Sequence, residues 1–402
     1  MKVKIYPSSA MGKISAPPSK SMAHRLLIAA AMAEGASVIR GVSDCDDVLA
    51  TLDCLAALGV KFEKLADGYR VFGIDFTKAK PHGELFCRES GSTLRMLIPA
   101  ATLSGKEVSF RAMAGLMKRP MTVYEDIYKK LGFTFLSENG GYKVLGAIPS
   151  GEYEVEGNIS SQFISGLIFA LAARKEPSII KITPPVESRS YIEMTIQALE
   201  YFSSRVEFTD SNTLKVFGGG YKPANLTVEG DWSGAAFPDA LNLFGGKANI
   251  LGLSEKSLQG DRVYKRHFKA LSEGFSKIDI TDCPDLAPIL FAVAAAFHGA
   301  EFIGTKRLKI KESDRASAMA SELLKVGCEV ELYENRAIVG KWNKKAPLTP
   351  ISSHGDHRIV MAMAILLTVV GGEIEGAEAT AKSYPSFFED LKKLNIKLDI
   401  YD

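Results

Sequence analysis

A run of five charged or polar residues, Lys311-Glu312-Ser313-Asp314-Arg315, stands immediately before a segment with helical apolar periodicity. Ser313 or Asp314 can cap the first turn of that helix, and the exposed N–H groups of a helix start attract an anion. Lys311 and Arg315 add positive charge where a helix disfavours it, which a bound anion would offset. Glu312 lies between them, so its pKa can be set for proton transfer. The run predicts an anion site with a titrating carboxylate, although a solvated charged loop has a similar composition.

Other predicted helix starts carry the same combination of capping residues and cations. Capping accounts for the Ser, Thr and Asp residues at these positions. It does not account for the nearby cations, in a chain whose net charge is only +2. These cations are Lys20, Arg25, Arg95, Arg119, Lys311, Arg315, Arg358 and Lys382. We therefore expect the helix starts to meet at one site that binds more than one anionic group, with Ser and Gln side chains as neutral donors.

The predicted helices and strands recur along the chain at a period of about 70 residues, with one shorter step of about 53. In one series a small-residue helix pattern precedes a short strand pattern, at residues 26–39, 96–110, 163–182, 235–251, 286–303 and 359–374. In the other series an amphipathic helix pattern precedes a strand, at residues 48–62, 123–135, 191–208, 263–280, 316–332 and 387–400. Six such units predict α/β layers in two domains of three units each.

The composition is that of a folded, two-domain protein. A chain of 402 residues exceeds what one core usually serves, and 46% hydrophobic with 24% charged residues is ordinary for a globular protein. A net charge of +2 argues against a nucleic-acid or membrane coat. The five cysteines show no paired spacing. The sequence also has no signal-peptide core and no apolar run of about 20 residues. These features favour a cytoplasmic protein.

The sequence lacks the motifs of several common enzyme classes. It has no G-x-x-x-x-G-K-[ST], no G-x-G-x-x-G after a strand and no G-x-S-x-G, which argues against ATP-driven phosphoryl transfer, nicotinamide chemistry and a hydrolase elbow. His354 and His357 flank Asp356 without a further ligand cluster, so we expect hydrogen bonding there rather than a metal. Asp285 and Glu312 remain as carboxylates among lysines, a pair suited to proton transfer.

Motifs spread in order from end to end of the chain carry a family resemblance. They are Pro18-Ser19-Lys20-Ser21 with Arg25, Ser90-Gly91-Ser92-Thr93-Leu94-Arg95, Lys118-Arg119-Pro120-Met121, Ser160-Ser161-Gln162-Phe163, Ser188 with Tyr191, Pro284-Asp285, Lys311-Glu312-Ser313-Asp314-Arg315, Gly355-Asp356-His357-Arg358 and Lys382-Ser383-Tyr384-Pro385. In combination they resemble the enolpyruvyl transferase family of 5-enolpyruvylshikimate-3-phosphate synthase, also called 3-phosphoshikimate 1-carboxyvinyltransferase.

The resemblance implies an α/β fold, a two-domain inverse α/β barrel of six βαβαββ repeats with three in each domain. An inserted domain, residues 14–229, would lie on the shikimate 3-phosphate side. Residues 1–13 and 230–402 would form the second domain, on the phosphoenolpyruvate side, with the active site in the cleft between the two. The six units found from periodicity agree with this organisation.

The resemblance also assigns site residues, carried over position by position. Shikimate 3-phosphate would be bound by Lys20, Ser21, Arg25, Ser160, Ser161, Gln162, Ser188, Tyr191, Asp285 and Lys311. Phosphoenolpyruvate would be bound by Lys20, Gly91, Arg119, Gln162, Arg315, Arg358 and Lys382. The catalytic set would be Asp285, Glu312, Lys20 and Lys382. Asp285 would accept the proton of the attacking hydroxyl, and Glu312 or Lys382 would protonate the methylene carbon.

The implied reaction adds the 5-hydroxyl of shikimate 3-phosphate to phosphoenolpyruvate, forms a tetrahedral intermediate and releases phosphate, within the shikimate pathway to chorismate and the aromatic amino acids. The resemblance implies no metal and no organic cofactor. The partners would be the two small-molecule substrates, without nucleic acid or membrane, and a cytoplasmic monomer is expected. Glyphosate would occupy the phosphoenolpyruvate site beside Gly91.

Two positions depart from the family pattern. Glu89 puts a carboxylate beside Gly91, where the family commonly has Asn, so it should either point away or pair with a cation such as Arg88. Arg307 stands where many members have an Asn on the shikimate phosphate, and we expect it to add a contact.

Two alternatives share the fold. The sister enzyme that uses UDP-N-acetylglucosamine usually has a reactive Cys in the loop matching residues 112–118, which contains none here, and it lacks the Ser-Ser-Gln arrangement. An RNA-processing repeat protein would need an extended basic surface and a nucleotide site, and the sequence shows neither.

Overall fold

Two units of the chain have separate hydrophobic cores in the computed structural model, which describes residues 1–138 and 140–402. The continuous unit is Lys20–Glu229, and the discontinuous unit combines Met1–Ser19 with Gly230–Asp402. The first division falls between residues 19 and 20, whereas the expected inserted domain began at residue 14. The reason is local pairing, because residues 11–15 form a strand of the discontinuous unit and Pro18 bridges to Gly230.

Apart from the short helix α4, the helices fall into the two predicted series in each unit. In the continuous unit they are α1 Lys20–Met32, α2 Asp46–Ala57, α3 Gly91–Ala101, α4 Ala114–Met117, α5 Thr122–Lys130, α6 Ser161–Ala172 and α7 Arg189–Tyr201. In the discontinuous unit they are α8 Trp232–Ala240, α9 Tyr264–Glu273, α10 Ala287–Ala296, α11 Arg315–Lys325, α12 His357–Val370 and α13 Phe387–Lys393.

Strands alternate with these helices. Those up to residue 145 are β1 Lys2–Ile5, β2 Met11–Ser15, β3 Gly35–Arg40, β4 Lys61–Leu65, β5 Gly68–Gly73, β6 Leu85–Phe86, β7 Val108–Arg111, β8 Thr134–Glu138 and β9 Gly141–Leu145. The middle of the chain adds β10 Glu152–Glu156, β11 Ser178–Thr183, β12 Val206–Phe208, β13 Thr213–Val216, β14 Asn225–Thr227 and β15 Lys247–Leu251. The remaining strands are β16 Ser276–Asp279, β17 Ala300–Ile303, β18 Val330–Leu332, β19 Arg336–Val339, β20 Ile351–Ser352, β21 Gly372–Glu375 and β22 Leu398–Tyr401.

The sheets repeat one pattern. Four-stranded sheets have the orders β14-β3-β5-β4, β6-β7-β9-β8, β10-β11-β13-β12, β16-β17-β19-β18 and β20-β21-β1-β22. In each of them the first pair is parallel and the next two pairs are antiparallel. In four of these sheets a helix connects the strands of the parallel pair in a βαβ unit, as parallel pairing requires, and the β14–β3 pair is the exception. This repetition confirms the predicted α/β fold class.

The fourth repeat is shorter than the others. Its sheet has only β15 and β2 among the described residues, because the strand after α9 is β16, which pairs in parallel with β17 of the next repeat. The sequence pattern at residues 263–280 was therefore a helix of one repeat followed by the first strand of the next. The missing hairpin explains the step of about 53 residues in the sequence period.

Two strands are exchanged where the chain passes between the units. In the second, third, fifth and sixth repeats, the strand before the first helix pairs with the strand after it. The strand before α1 is β2, yet β3 pairs with β14, and the strand before α8 is β14, yet β15 pairs with β2. Each crossing therefore leaves its strand in the unit that the chain is departing from.

The first-series helices are buried almost all round, so their N-terminal ends are the parts that can meet a ligand. In α10 every residue except Ala296 is buried, and α6 is buried at all positions but Gln162. Capping follows the sequence prediction, with Ser90, Ser160, Asp231 and Asp356 each accepting a backbone N–H of their helix. Within residues 1–138 and 140–402, no helix combines the length and apolarity needed to cross a membrane.

Candidate active site

The first turn of α1 carries Lys20, whose Nζ lies 2.9 Å from Asp47 Oδ2 at the start of α2. Both side chains are largely buried, with 13% and 6% of their surface exposed. A carboxylate thus already compensates this predicted substrate contact. An anionic ligand at Lys20 would share the ammonium group with Asp47 or displace it.

Arg25, one turn further along α1, is buried and is held by neutral oxygens. Its guanidinium donates to the Ser21 carbonyl at 2.6 Å, the Tyr191 carbonyl at 2.9 Å and Thr195 Oγ1 at 2.8 Å. Burial lowers the pKa of Arg25 to about 10, which leaves it charged at neutral pH. The structure therefore joins Ser21, Arg25 and Tyr191 across α1 and α7, and these acceptors do not cancel the positive charge.

The start of α3 brings Gly91 close to Arg119 and Gln162. A Cβ atom at Gly91 would lie 3.2 Å from Arg119 Nη1 and 3.5 Å from Gln162 Oε1. Gln162 donates from Nε2 to Ser92 Oγ at 3.0 Å and accepts from Arg95 Nη1 at 3.0 Å. Arg95 was noted as a cation but was not assigned to the site. Its position shows that it orients Gln162, a role that depends on a contact 67 residues away in sequence.

The serines predicted to hold the sugar phosphate are buried at helix starts. Ser160 caps α6 by accepting the Gln162 N–H at 3.3 Å, and Ser161 is its first residue. Ser188 precedes α7 with φ at 56°, a left-handed conformation that costs a residue with a side chain about 1–3 kcal/mol.

In the discontinuous unit, Asp285 is the centre of a cation cluster. Its Oδ1 accepts from Lys311 Nζ at 3.1 Å and Arg315 Nη1 at 2.8 Å, and its Oδ2 accepts from Arg358 Nη2 at 2.9 Å. Burial alone would raise the pKa of Asp285, but Arg358, Lys311 and Arg315 together lower it well below its usual range. The carboxylate is therefore ionised and strongly stabilised as an anion.

Arg315 links three carboxylates at the start of α11. Besides Asp285 it donates to Glu312 Oε2 at 2.5 Å and to Asp356 Oδ2 at 2.9 Å. Burial would lower the pKa of Arg315, but these carboxylates raise it. Asp314 is the residue that caps α11, while Ser313 donates to Asp356, which settles the alternative left open by the sequence. The charged run is thus a packed cluster and not a solvated loop.

Lys311 and Arg307 lie on the short segment before α11. Burial lowers the pKa of Lys311, with Asp285 acting against this effect and Arg315 and Arg307 adding to it. Arg307 is 8% exposed and close enough for its charge to act on Lys311. A phosphate bound near Arg307 would therefore also be near Lys311.

The sequence context of Lys382 suggested a helix start, but the structure does not place it at one. It is the last residue of the 3₁₀ helix Ala377–Lys382, and α13 begins only at residue 387. A cation at the C-terminal end of a helical turn is electrostatically favourable, which accounts for Lys382 without a ligand. Its side chain is 9% exposed.

Asp261 is a neighbour of this cluster that the sequence analysis passed over. It is 3% exposed, and burial together with the charge of Asp285 raises its pKa to about 6. Ser233 hydrogen-bonds to it and accepts from Arg358 Nη1 at 2.6 Å. The only sequence signal was its place in a predicted helix start, where capping is the ordinary explanation.

The two histidines that flank Asp356 lie near carboxylates. His354 Nε2 lies 2.7 Å from Glu322 Oε1, and His357 Nδ1 lies 3.7 Å from Asp356 Oδ1. In the described part of the chain, no three His, Cys, Asp or Glu side chains are grouped as a metal site requires.

Comparison with known proteins agrees with this geometry. The family model described as EPSP synthase (3-phosphoshikimate 1-carboxyvinyltransferase) matches residues 6–391. A 3-phosphoshikimate 1-carboxyvinyltransferase from Clostridium kluyveri is 38% identical over 421 aligned positions, covering 99% of this chain and 98% of the relative. One from Clostridium perfringens is 36% identical, covering 98% of each.

Solved structures show the same fold. An EPSP synthase from Acinetobacter baumannii has a TM-score of 0.77 and 23% sequence identity, covering 99% of this chain and all of the other. A second structure of EPSP synthase from that organism has a TM-score of 0.78 and 22% identity. With a family model and relatives that span almost its whole length, the chain belongs to the EPSP synthase family.

Proposed function

We propose that this protein transfers the enolpyruvyl group of phosphoenolpyruvate to the 5-hydroxyl of shikimate 3-phosphate and releases phosphate. The observation that carries the proposal is the Asp285 carboxylate, which is 20% exposed and is held by Lys311, Arg315 and Arg358. A proton acceptor surrounded by anion-binding cations is what addition of a hydroxyl to an anionic enol phosphate requires. The names of the relatives agree with this reaction.

Phosphoenolpyruvate is bound, in this proposal, by Arg119 beside Gly91, by Lys20, Gln162 and Lys382, and by the two arginines on Asp285. The close approach of Arg119 to Gly91 supports a compact anion there. Shikimate 3-phosphate is bound by residues around Arg25. These are Lys20, Ser21, Arg25, Ser160, Ser161, Gln162, Ser188 and Tyr191, with Asp285 and Lys311 on its hydroxyl groups.

Arg315 and Arg358 give the substrate a way to activate Asp285. Both donate to the Asp285 carboxylate, and together with Lys311 they lower its pKa well below the usual range, which makes it a weak base. The carboxylate and phosphate of phosphoenolpyruvate compete for the same guanidinium groups. Binding therefore draws positive charge away from Asp285, and its pKa rises towards a value useful for accepting a proton.

The chemistry proceeds in two steps. The substrate oxygen O5 bonds to carbon C2 of phosphoenolpyruvate as Asp285 takes the hydroxyl proton, and carbon C3 gains a proton from Glu312 or Lys382. The resulting tetrahedral intermediate then loses phosphate from C2 and a proton from C3, which restores the double bond. The O5–C2 bond replaces the bond from C2 to the phosphate oxygen without any net oxidation or reduction, so no electron carrier is required, and the cations of the chain stabilise the developing charge. We further propose a cytoplasmic monomer that glyphosate inhibits.

The test is phosphate release from phosphoenolpyruvate with each possible acceptor. Purified protein should release phosphate with shikimate 3-phosphate and not with UDP-N-acetylglucosamine. Mass spectrometry of the product should show the acceptor enlarged by one enolpyruvyl group. Release with the UDP-sugar, or with neither acceptor, would contradict the proposal.

A further inference from the structure

The turn that carries Gly91 is joined to the segment that carries Arg119 by backbone hydrogen bonds. The Met113 N–H donates to the Arg88 carbonyl at 2.9 Å, and the Cys87 N–H donates to the Arg111 carbonyl at 2.8 Å. These bonds continue the β6–β7 pairing by a few residues, and α4 begins immediately beyond them.

Glu89 extends this connection with its side chain. Its Oε1 accepts the Gly115 N–H at 3.1 Å, in the first turn of α4. A Cβ atom at Gly115 would lie 2.8 Å from Glu89 Oε2 and 2.9 Å from Oε1, closer than real side chains come. Glycine at position 115 is therefore what lets the carboxylate reach the backbone.

The α4 segment in turn positions Arg119. The Arg119 N–H donates to the Leu116 carbonyl at 3.0 Å, and the Leu116 side chain is buried, with Cδ1 3.6 Å from where a Gly91 Cβ would be. A shift of α4 would thus move both Leu116 and the guanidinium beside Gly91. Holding α4 in place holds the candidate phosphate contact in place.

Arg88 is not the cation that pairs with Glu89, because its guanidinium contacts carboxylates of α2. Its Nη2 lies 2.7 Å from Asp53 Oδ2 and its Nη1 lies 3.8 Å from Asp46 Oδ1, both on α2. The sequence suggested that Glu89 either points away or pairs with Arg88. The structure shows that it points to the α4 backbone.

We propose that Glu89 is a positioning residue for phosphoenolpyruvate, which holds α4 against the Gly91 turn and so fixes Arg119 beside it. The inference rests on the proposed function for its substrate, but the structural part can be tested without any substrate. A hydrogen bond from a backbone N–H to a carboxylate is stronger than one between neutral groups. Its loss should loosen α4 without unfolding the unit, because Glu89 is only partly buried.

The first measurement is hydrogen–deuterium exchange of the peptide covering residues 111–117, in protein without ligand. Glu89→Ala should make the Gly115 amide exchange about tenfold faster, since its acceptor is gone. Glu89→Gln keeps an acceptor oxygen and should stay near wild type. Gly115→Ala pushes the carboxylate away from the other side and should resemble Glu89→Ala. Glu84→Ala is the matched control, an exposed glutamate just before β6 whose Oε2 lies 3.7 Å from Arg111 Nε.

The second measurement is steady-state kinetics with both substrates. Glu89→Ala should raise the KM for phosphoenolpyruvate about tenfold while kcat and the KM for shikimate 3-phosphate change little. Gly115→Ala should give the same split, and the double variant should be no worse than either single one.

The outcomes separate the two hypotheses. Unchanged amide exchange in Glu89→Ala would overturn the positioning role whatever the enzyme does. A lower KM for phosphoenolpyruvate in that variant would also overturn it, since it would mean that Glu89 acts by repelling the anion. Wild-type protein that does not use phosphoenolpyruvate would refute the proposed function, while the exchange data would still decide whether Glu89 holds α4.

Discussion

The buried arginines at the candidate site differ between the two units in the groups to which they donate. In the continuous unit Arg25 donates to two carbonyls and a hydroxyl, and Arg95 donates to an amide oxygen and a carbonyl. In the discontinuous unit Lys311, Arg315 and Arg358 meet carboxylates. These carboxylates are Asp285, Glu312 and Asp356.

This difference implies two ways of binding an anion. Neutral acceptors orient a guanidinium and leave its charge, so Arg25 and Arg95 keep a positive charge that can attract a phosphate, whereas Lys20 of the same unit is paired with Asp47. In the discontinuous unit three cations face three carboxylates, so an incoming anion must exchange with one of them. The first arrangement favours affinity, and the second makes the state of Asp285 depend on the ligand.

Asp285→Ala should have the largest effect and should sharpen the comparison most. Turnover should fall by about 10²–10⁴, because the proton acceptor is lost. The KM for phosphoenolpyruvate should not rise, since three cations lose a competing carboxylate. Arg119→Ala should instead raise that KM, because it removes a contact to the anion. Steady-state kinetics of both variants decide the matter, and a shared pattern would show that their roles are not separate.

Arg315→Ala should destabilise the discontinuous unit by about 3–5 kcal/mol, since it leaves buried carboxylates without their main cation. Trp232 and Trp342 are the only tryptophans of the chain, and both belong to this unit. Urea unfolding followed by tryptophan fluorescence therefore reports on it directly. Arg25→Ala, in the other unit, serves as the control and should leave this transition in place. Equal shifts in the two variants would break the comparison.

Asp261→Asn should remove a pH dependence of stability. Wild-type Asp261 keeps its proton up to a pKa of about 6 in the folded protein, whereas the ordinary value is 3.8. Between these values the folded state binds more protons than the unfolded state, so this group's contribution to stability falls as pH rises. The difference across that window is on the order of 3 kcal/mol. In urea titrations from pH 4 to 7, Asp261→Asn should gain stability relative to wild type, and parallel curves would refute the assignment.

Gly91→Ala, in the continuous unit, should have the smallest effect, and this effect should be on inhibition by glyphosate. The added methyl group would lie 3.2 Å from Arg119 Nη1, which displaces a longer ligand more than a compact one. A displacement costing about 1–3 kcal/mol would raise the glyphosate inhibition constant about tenfold to hundredfold. The KM for phosphoenolpyruvate should rise less. Gly151→Ala meets nothing within 4 Å and is the control; equal shifts in both constants would show that Gly91 does not discriminate.

Helix periodicity and capping could be predicted from sequence because they are local. The paired series of helices, and caps such as Ser90, Ser160 and Asp356, follow from patterns within a few residues. Family resemblance added the fold class, which the structure confirms. Which residues touch the substrates stays a prediction.

Other features depended on contacts between distant segments. The arginines on Asp285 lie 30 and 73 residues from it in sequence, so no spacing rule could place them together. The exchange of β2 and β14 was also invisible, because a three-residue strand such as β14 carries too little alternation to identify its partner. Lys382 was misplaced because Ser-Tyr-Pro resembles a helix start, while α13 begins five residues later.

The pairing of β1 has a consequence for how the protein is made. Lys2 lies opposite Tyr401 of β22 and Glu375 of β21, so the first strand to leave the ribosome finds its neighbours among the last. At 5–20 residues per second, the roughly 400 residues between them take about 20–80 s to synthesise. Lys2 and Lys4 give this waiting strand the alternating positive charge that discourages pairing with other chains. Meanwhile Lys20–Glu229 contains all the strands of its own sheets and can complete its core before the rest of the chain exists.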